Sequence, residues 1–215
     1  MRLNSVRIRA VLTGAIILSV LLCDQIIKYQ VKTSLLLHER IEVTSWFHIL
    51  FTENRGMAFG MDFIGTTFLT LFRFAAVILF SIILVRTLRN TKYPVGLVVC
   101  LSLVVAGAAG NIVDNCFYGL IFNESPEYNS FFATGIPAGL VPFGEGYGGF
   151  LSGRVVDMFY FPLFVWPEWM PFVGGEYFFN AIFNFADAAI SCGAIALFLF
   201  YRKYINGEML RLRSK

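Results

Sequence analysis

The sequence predicts a membrane all-α protein with four transmembrane helices, a small extracytoplasmic β element and both termini in the cytoplasm. Three observations carry this. The 215-residue chain is 57% hydrophobic and only 14% charged, with a mean hydropathy of +0.69, whereas soluble domains carry about 25% charged residues. Four apolar stretches, roughly 11–29, 66–85, 94–113 and 180–201, each offer the ~20 residues that cross a bilayer core. Most of the 17 Lys and Arg residues gather at one set of span ends, and such clusters mark the cytoplasmic side.

The first span follows Arg2, Arg7 and Arg9, and Cys23 ends its apolar core. That order resembles a secretory or lipoprotein signal. However, cleavage wants a small residue where Leu22 stands, and the apolar run continues through Ile26, Ile27 and Tyr29, so an uncleaved span is expected. Arg86, Arg89 and Lys92 fill the turn between spans two and three, and Arg202, Lys203, Arg211, Arg213 and Lys215 follow span four. The other two loops therefore face outward. Arg73 interrupts span two and is expected to snorkel or to pair with an outer carboxylate.

Outer loop one covers about 30–65. Residues 40–44 and 46–52 alternate loosely with period two, as short strands do. The run Glu53-Asn54-Arg55-Gly56-Met57-Ala58-Phe59-Gly60 then suggests a sharp turn or a close backbone approach. Outer loop two, about 115–179, holds all but one of the seven prolines. Its middle, 123–152, reads as irregular surface structure. Its later part, Phe159-Tyr-Phe-Pro-Leu-Phe-Val-Trp-Pro-Glu-Trp169, has the aromatic composition of a membrane interface. A single membrane-embedded domain over 1–215 is expected.

The charged residues inside the spans are the functional candidates, because an ionisable group in hydrocarbon costs several kcal/mol unless it faces a polar interior. Topology puts Asp24, Asp114, Asp157 and Asp187 at a similar outer depth, with Asp187 about 10 Å below the surface if it stands seven residues into a helix. Asn111-x-x-Asp114 and Asn184-x-x-Asp187 would each share one helix face, and small residues such as those of 106–110 would allow close helix approach. Two facing carboxylates hold one proton between them. One then activates water while the other donates to the carbonyl oxygen or the leaving amine. Such a dyad needs no metal, no cofactor and no nucleophilic side chain. The residues alone leave open which two of the four aspartates form it.

Other chemistries are disfavoured. Cys23, Cys100, Cys116 and Cys192 show no C-x-x-C spacing and read as small buried hydrophobes. His38 and His48 share a loop, and no H-E-x-x-H or G-x-S-x-G is present. A net charge of +3 on so apolar a chain is no nucleic-acid footprint.

Five blocks in order resemble the lipoprotein signal peptidase (signal peptidase II) family: Asp24-Gln-Ile-Ile-Lys28, the 53–60 run, Gly110-Asn111-Ile-Val-Asp114, Gly153-Arg-Val-Val-Asp157-Met-Phe and Phe183-Asn184-Phe-Ala-Asp187-Ala-Ala-Ile. The resemblance implies an aspartic endopeptidase of the bacterial inner membrane, with its site toward the periplasm. It implies Asp157 and Asp187 as the catalytic dyad. Asp24, Asn54, Arg55, Gly56, Asn111, Asp114 and Asn184 would be the supporting or substrate-binding residues. The implied substrate is a diacylglyceryl-modified prolipoprotein, cut on the amino side of the lipidated cysteine. Membrane lipids and globomycin-type cyclic peptides are the other implied partners, and a monomer is expected. Two departures stand out. The family usually has Arg after the aspartate matching Asp114, where this chain has Asn115, and it usually joins the third block to the fourth by a short connection, where this chain has an insertion at about 123–152. A small proton-coupled transporter, its two N-x-x-D helices forming a weak repeat, is the alternative reading, and a structural membrane subunit is a third.

Overall fold

The computed structural model describes residues 5–54, 66–129 and 135–205. Arg55 and Gly56, with the rest of residues 55–65, where a turn was expected, lie outside them. Four helices are long and apolar enough to cross a membrane, accompanied by one small antiparallel sheet. The chain divides into two compact units. One comprises the described residues of Met1–Gln25, Phe68–Ile112 and Phe185–Lys215, the other those of Ile26–Thr67 and Val113–Asn184.

The first unit is helical. It contains most of α1 (Val6–Ser34), α2 (Thr66–Arg89), α3 (Val95–Val113) and α5 (Phe185–Ile205). Their apolar sequences meet in one cluster around Leu84, Leu97, Leu101, Val104 and Leu197, and in a second around Val20, Ala106 and Ala189. Arg9 does more than mark topology. It is fully buried, and its guanidinium donates to the carbonyls of Thr87, Asn90, Thr91 and Tyr93. It thereby satisfies the carbonyls that the end of α2 and the following turn leave without helical partners.

The small residues of α3 serve close approach to α5. A methyl group at Gly107 would collide with the Ala186 carbonyl and sit 2.8 Å from Ile190 Cγ1. Gly107→Ala is therefore expected to destabilise the helical unit by about 1–3 kcal/mol, read as a lowered midpoint of denaturant unfolding in detergent.

The second unit is built on the sheet. β1 (Arg40–Thr44) and β2 (Phe47–Asn54) form the expected strands, and β1 is an exposed edge. Two further strands were not expected: β3 (Val155–Tyr160) and β4 (Ile182–Phe183), giving the order β1-β2-β3-β4, antiparallel throughout. β3 lies between two neighbours and is almost wholly buried. Its sequence, Val155-Val-Asp-Met-Phe-Tyr160, therefore shows no alternation of apolar and polar residues. Phe51, Phe122, Val156 and Met158 lead the core beneath it.

Three expectations are corrected here. Asp157 stands within a strand, not in a loop. The fourth span starts at Phe185 rather than near 180, because 182–183 pair with β3 instead of joining the helix. Asp187 is consequently the third residue of α5 rather than seven residues in. The two Asn-x-x-Asp pairs also straddle element boundaries: Asn184 precedes α5, and Asp114 opens a π-helical turn (Asp114–Tyr118) after α3. That turn runs into the short α4 (Gly119–Ile121).

The described residues of the insertion at 123–152 are irregular, as expected, but firmly bonded. Amides of Val141, Gly144, Tyr147 and Gly148 donate to the carbonyls of Ile121, Leu120, Phe122 and Gly119 at 2.9–3.0 Å. The insertion thus caps the carbonyl end of the π-turn and α4.

Candidate active site

The candidate residues fall in both units. In the helical unit, Asp24 of α1 is fully buried, and its Oδ1 accepts the Ala186 amide at 2.9 Å. Ala186 is the second residue of α5, so Asp24 satisfies one of the amides that a helix N-terminus leaves unpaired. Gln25 Nε2 donates to Asp24 Oδ2 at 3.1 Å and to the Gly110 carbonyl at 3.3 Å, tying α1 to α3. Asn111 Nδ2 donates to Asp187 Oδ1 at 2.7 Å. Asp187, half-buried in the first turn of α5, therefore has one oxygen fixed by an amide. The helix dipole there favours a negative charge.

In the sheet unit, Asp157 is 4% exposed, and Asn184 Nδ2 donates to its Oδ1 at 2.6 Å. Asp157 stands opposite Thr52 of β2, and the next pairs are Glu53 with Val156 and Asn54 with Val155. Asn54, at the end of β2, is exposed. Asp114 is fully buried. Its Oδ2 lies 2.8 Å from Lys28 Nζ and accepts the Val156 amide at 3.3 Å. A carboxylate on the π-turn thus grips the backbone immediately before Asp157, and π-helical turns often occur at functional sites.

Asn184 serves Asp157 and Asn111 serves Asp187, each within its own unit. Where the resembling family usually has Arg, the Asn115 side chain is buried and donates to the Gly153 carbonyl at 2.8 Å. Its own carbonyl accepts the Gly153 amide at 2.9 Å. This reciprocal clamp holds the entry to β3. Lys28 supplies a cation beside Asp114.

Arg154 belongs to a second network. It bonds Glu53 Oε2 at 3.0 Å and Glu124, and its guanidinium carbon lies 4.7 Å from the Tyr147 ring centre. Lys32 pairs with Glu53 Oε1, and Ser125 Oγ donates to that same oxygen at 2.7 Å. The network joins α1, β2, the insertion and the residue before β3 around Glu53, whose register partner Val156 immediately precedes Asp157. Burial alone pushes the Glu53 carboxyl up, but Lys32, Ser125 and Arg154 together outweigh it and hold the group below the usual glutamate range.

A depressed folded-state pKa stabilises above the ordinary glutamate value of about 4.3. That stability disappears as pH falls through the lower folded value. Acid unfolding should therefore steepen below the ordinary glutamate range. In Glu53→Gln the protein should be less stable at neutral pH and its acid slope shallower, measured by denaturant midpoints across pH.

Lys28, Lys32, Gln25 and Glu53 were not singled out as site residues from sequence. A signal was present: Asp24, Lys28 and Lys32 recur every four residues, one helical face of charge in an apolar span.

Carboxylates held by amides in each unit, together with four helices long and apolar enough to cross a membrane, are the features of a polytopic membrane protein with acidic functional residues. Residues 16–202 match the family described as Signal peptidase (SPase) II, and the chain belongs to that family of aspartic peptidases. It is 44% identical over 197 residues to a lipoprotein signal peptidase of Porphyromonas gingivalis, covering 90% of this chain and 84% of that one. It is 32% identical over 172 residues to the lipoprotein signal peptidase of Amoebophilus asiaticus, covering 75% of this chain and 64% of the relative. A solved bacterial membrane enzyme, determined by the in meso method, shares the fold with a TM-score of 0.57 at 23% identity, over 94% of each chain.

Proposed function

We propose that this chain removes the signal peptide from diacylglyceryl-modified prolipoproteins, cutting on the amino side of the lipidated cysteine, with Asp157 and Asp187 as its catalytic dyad. The observation that carries this is the matched anchoring of the two carboxylates. Each has one oxygen fixed by an asparagine amide, Asn184 for Asp157 and Asn111 for Asp187. The chain itself supports the pairing, since Asn184 precedes Asp187 by only three residues.

In the reacting form one member of the dyad is ionised and the other carries a proton. The ionised member takes a proton from water as the water oxygen attacks the scissile carbonyl. The protonated member hydrogen-bonds the developing oxyanion. Collapse of the tetrahedral intermediate breaks the C–N bond, and the amine of the modified cysteine leaves with a proton from the dyad.

Asp24 and Asp114 play positioning roles in this reading. Asp24 fixes the start of α5, and Asp114 with Lys28 fixes the strand backbone before Asp157. Both termini lie in the cytoplasm, following the Lys and Arg clusters, and the site faces the periplasmic side of the inner membrane. The whole chain acts as one peptidase domain and as a monomer. A globomycin-type cyclic peptide would compete for the site. Asn54, Arg55 and Gly56 would help hold the substrate. Family membership gives the transporter alternative no support.

The test is cleavage by the purified protein of one prolipoprotein with and without its diacylglyceryl group, followed by mass spectrometry of the products. A new N-terminus at the modified cysteine, formed from the lipidated precursor alone, is expected. Equal cleavage of both forms would remove the lipid from the reading.

A further inference from the structure

β3 and β4 are joined by an aromatic ribbon, residues 161–181. Its arms pair through a bridge between Val165 and Tyr177. The Trp166 amide donates to the Glu176 carbonyl at 2.9 Å, and the Phe178 amide donates to the Phe164 carbonyl at 2.8 Å. Phe164 and Phe178 stack at 4.7 Å with their planes 10° apart, and Trp166 packs edge-on against both. The ribbon is therefore an ordered element. Its tip is nevertheless turned outward: Trp169 is 80% exposed and Phe172 is fully exposed. Phe172 also adopts φ +69°, a left-handed conformation that costs a bulky residue roughly 1–2 kcal/mol. Two large rings held out from a well-bonded ribbon, one of them on a strained backbone, are an arrangement that water does not favour.

We infer that this ribbon is an interfacial anchor, its Trp169–Phe172 tip seated in the lipid headgroup and upper acyl region of the same bilayer that the helices cross. Three features select lipid as the occupant. The sheet unit itself contains the ends of two spanning helices, residues 26–34 of α1 and the turns through Ile121, so the ribbon belongs to a unit that lies at the membrane boundary. Its composition is that of an interface, with aromatics and Pro162, Pro167 and Pro171. It carries Glu168 and Glu176, and no Lys or Arg occurs between Arg154 and Arg202, so neither an acidic partner nor anionic headgroups would be attracted to it. Insertion rests on the aromatic rings and is insensitive to anionic lipid and to salt. Because the ribbon is the connection between the strand that bears Asp157 and its neighbour, its depth sets the depth of that strand.

The chain has three tryptophans, Trp46, Trp166 and Trp169, so Trp46→Phe with Trp166→Phe leaves Trp169 as a single reporter. The full chain is reconstituted into phosphatidylcholine vesicles whose lipids carry bromine either near the carbonyl end or near the methyl end of the acyl chains. Trp169 emission is expected to shift to the blue and to be quenched more by the shallow bromines than by the deep ones. Aqueous iodide should have little effect, and adding phosphatidylglycerol or salt should change nothing. Strong iodide quenching without bromolipid quenching would overturn the anchor. So would protection from both quenchers, the result expected of a protein partner or a second copy, and so would stronger quenching by the deep bromines. A second reporter, Phe172→Trp in a background with all three native tryptophans replaced by Phe, repeats the measurement if the first variant misfolds. No step of this test uses peptidase activity, so its failure and that of the proposed function are distinguishable.

Discussion

Asp187→Asn is expected to fold as the unsubstituted protein does and to lose roughly 10²–10⁴-fold in turnover, the usual contribution of a positioned acid–base group. Asparagine keeps a side-chain oxygen where Asp187 Oδ1 now accepts the Asn111 amide at 2.7 Å, so the anchoring bond survives and only the titratable proton is gone. Asp157→Asn preserves the 2.6 Å bond from Asn184 in the same way and should lose as much. Denaturant midpoints close to that of the unsubstituted chain, together with single-turnover rates, separate chemistry from folding. Serine or alanine at either position would confound the two, because the donor amide would be left unpaired in a buried place.

The second large effect falls on stability. Lys28→Met leaves the fully buried Asp114 carboxylate without the ammonium 2.8 Å away. Breaking a buried pair from one side costs about 3–5 kcal/mol, because the remaining charge is uncompensated. Asp114→Asn added to Lys28→Met removes that charge and keeps an acceptor for the Val156 amide. The double variant should therefore recover most of the lost stability. If it is as unstable as Lys28→Met alone, packing of the lysine stem and not the ion pair sets the cost. Activity offers a further distinction: Asp114 holds the backbone before Asp157, so the double variant should still turn over, with a reduced kcat.

Much of this was legible in the sequence, for identifiable reasons. The four spans show because 20 apolar residues in a row have few other uses, and β1 and β2 show because their sequences alternate loosely with period two, although β1 is exposed along its whole length. β3 was hidden by its own burial: Val155-Val-Asp-Met-Phe-Tyr160 is covered on both sides and has no period to read. β4 was hidden inside the apolar run of the fourth span, where composition does not mark the change from strand to helix at Asn184. That boundary matters most for the site. Read as one helix, Asn184 and Asp187 share a face and a role. With the helix starting at Phe185, Asn184 turns to Asp157 while Asp187 takes its partner from α3. Lys28 and Lys32 were legible but unread, as a charged stripe continuing from Asp24. The work of Asn115 in clamping Gly153 was not legible, because a buried asparagine's partner is a backbone carbonyl 38 positions away.

The claim at the centre of this account is that Asp157 and Asp187 work as one catalytic unit. Single-turnover cleavage of a diacylglyceryl-modified prolipoprotein by the unsubstituted protein, Asp157→Asn, Asp187→Asn and the double variant tests it directly. Groups that act together are strongly non-additive, so the double variant should be no slower than either single variant. A near-normal rate in either single variant, or losses that multiply in the double, would contradict the account.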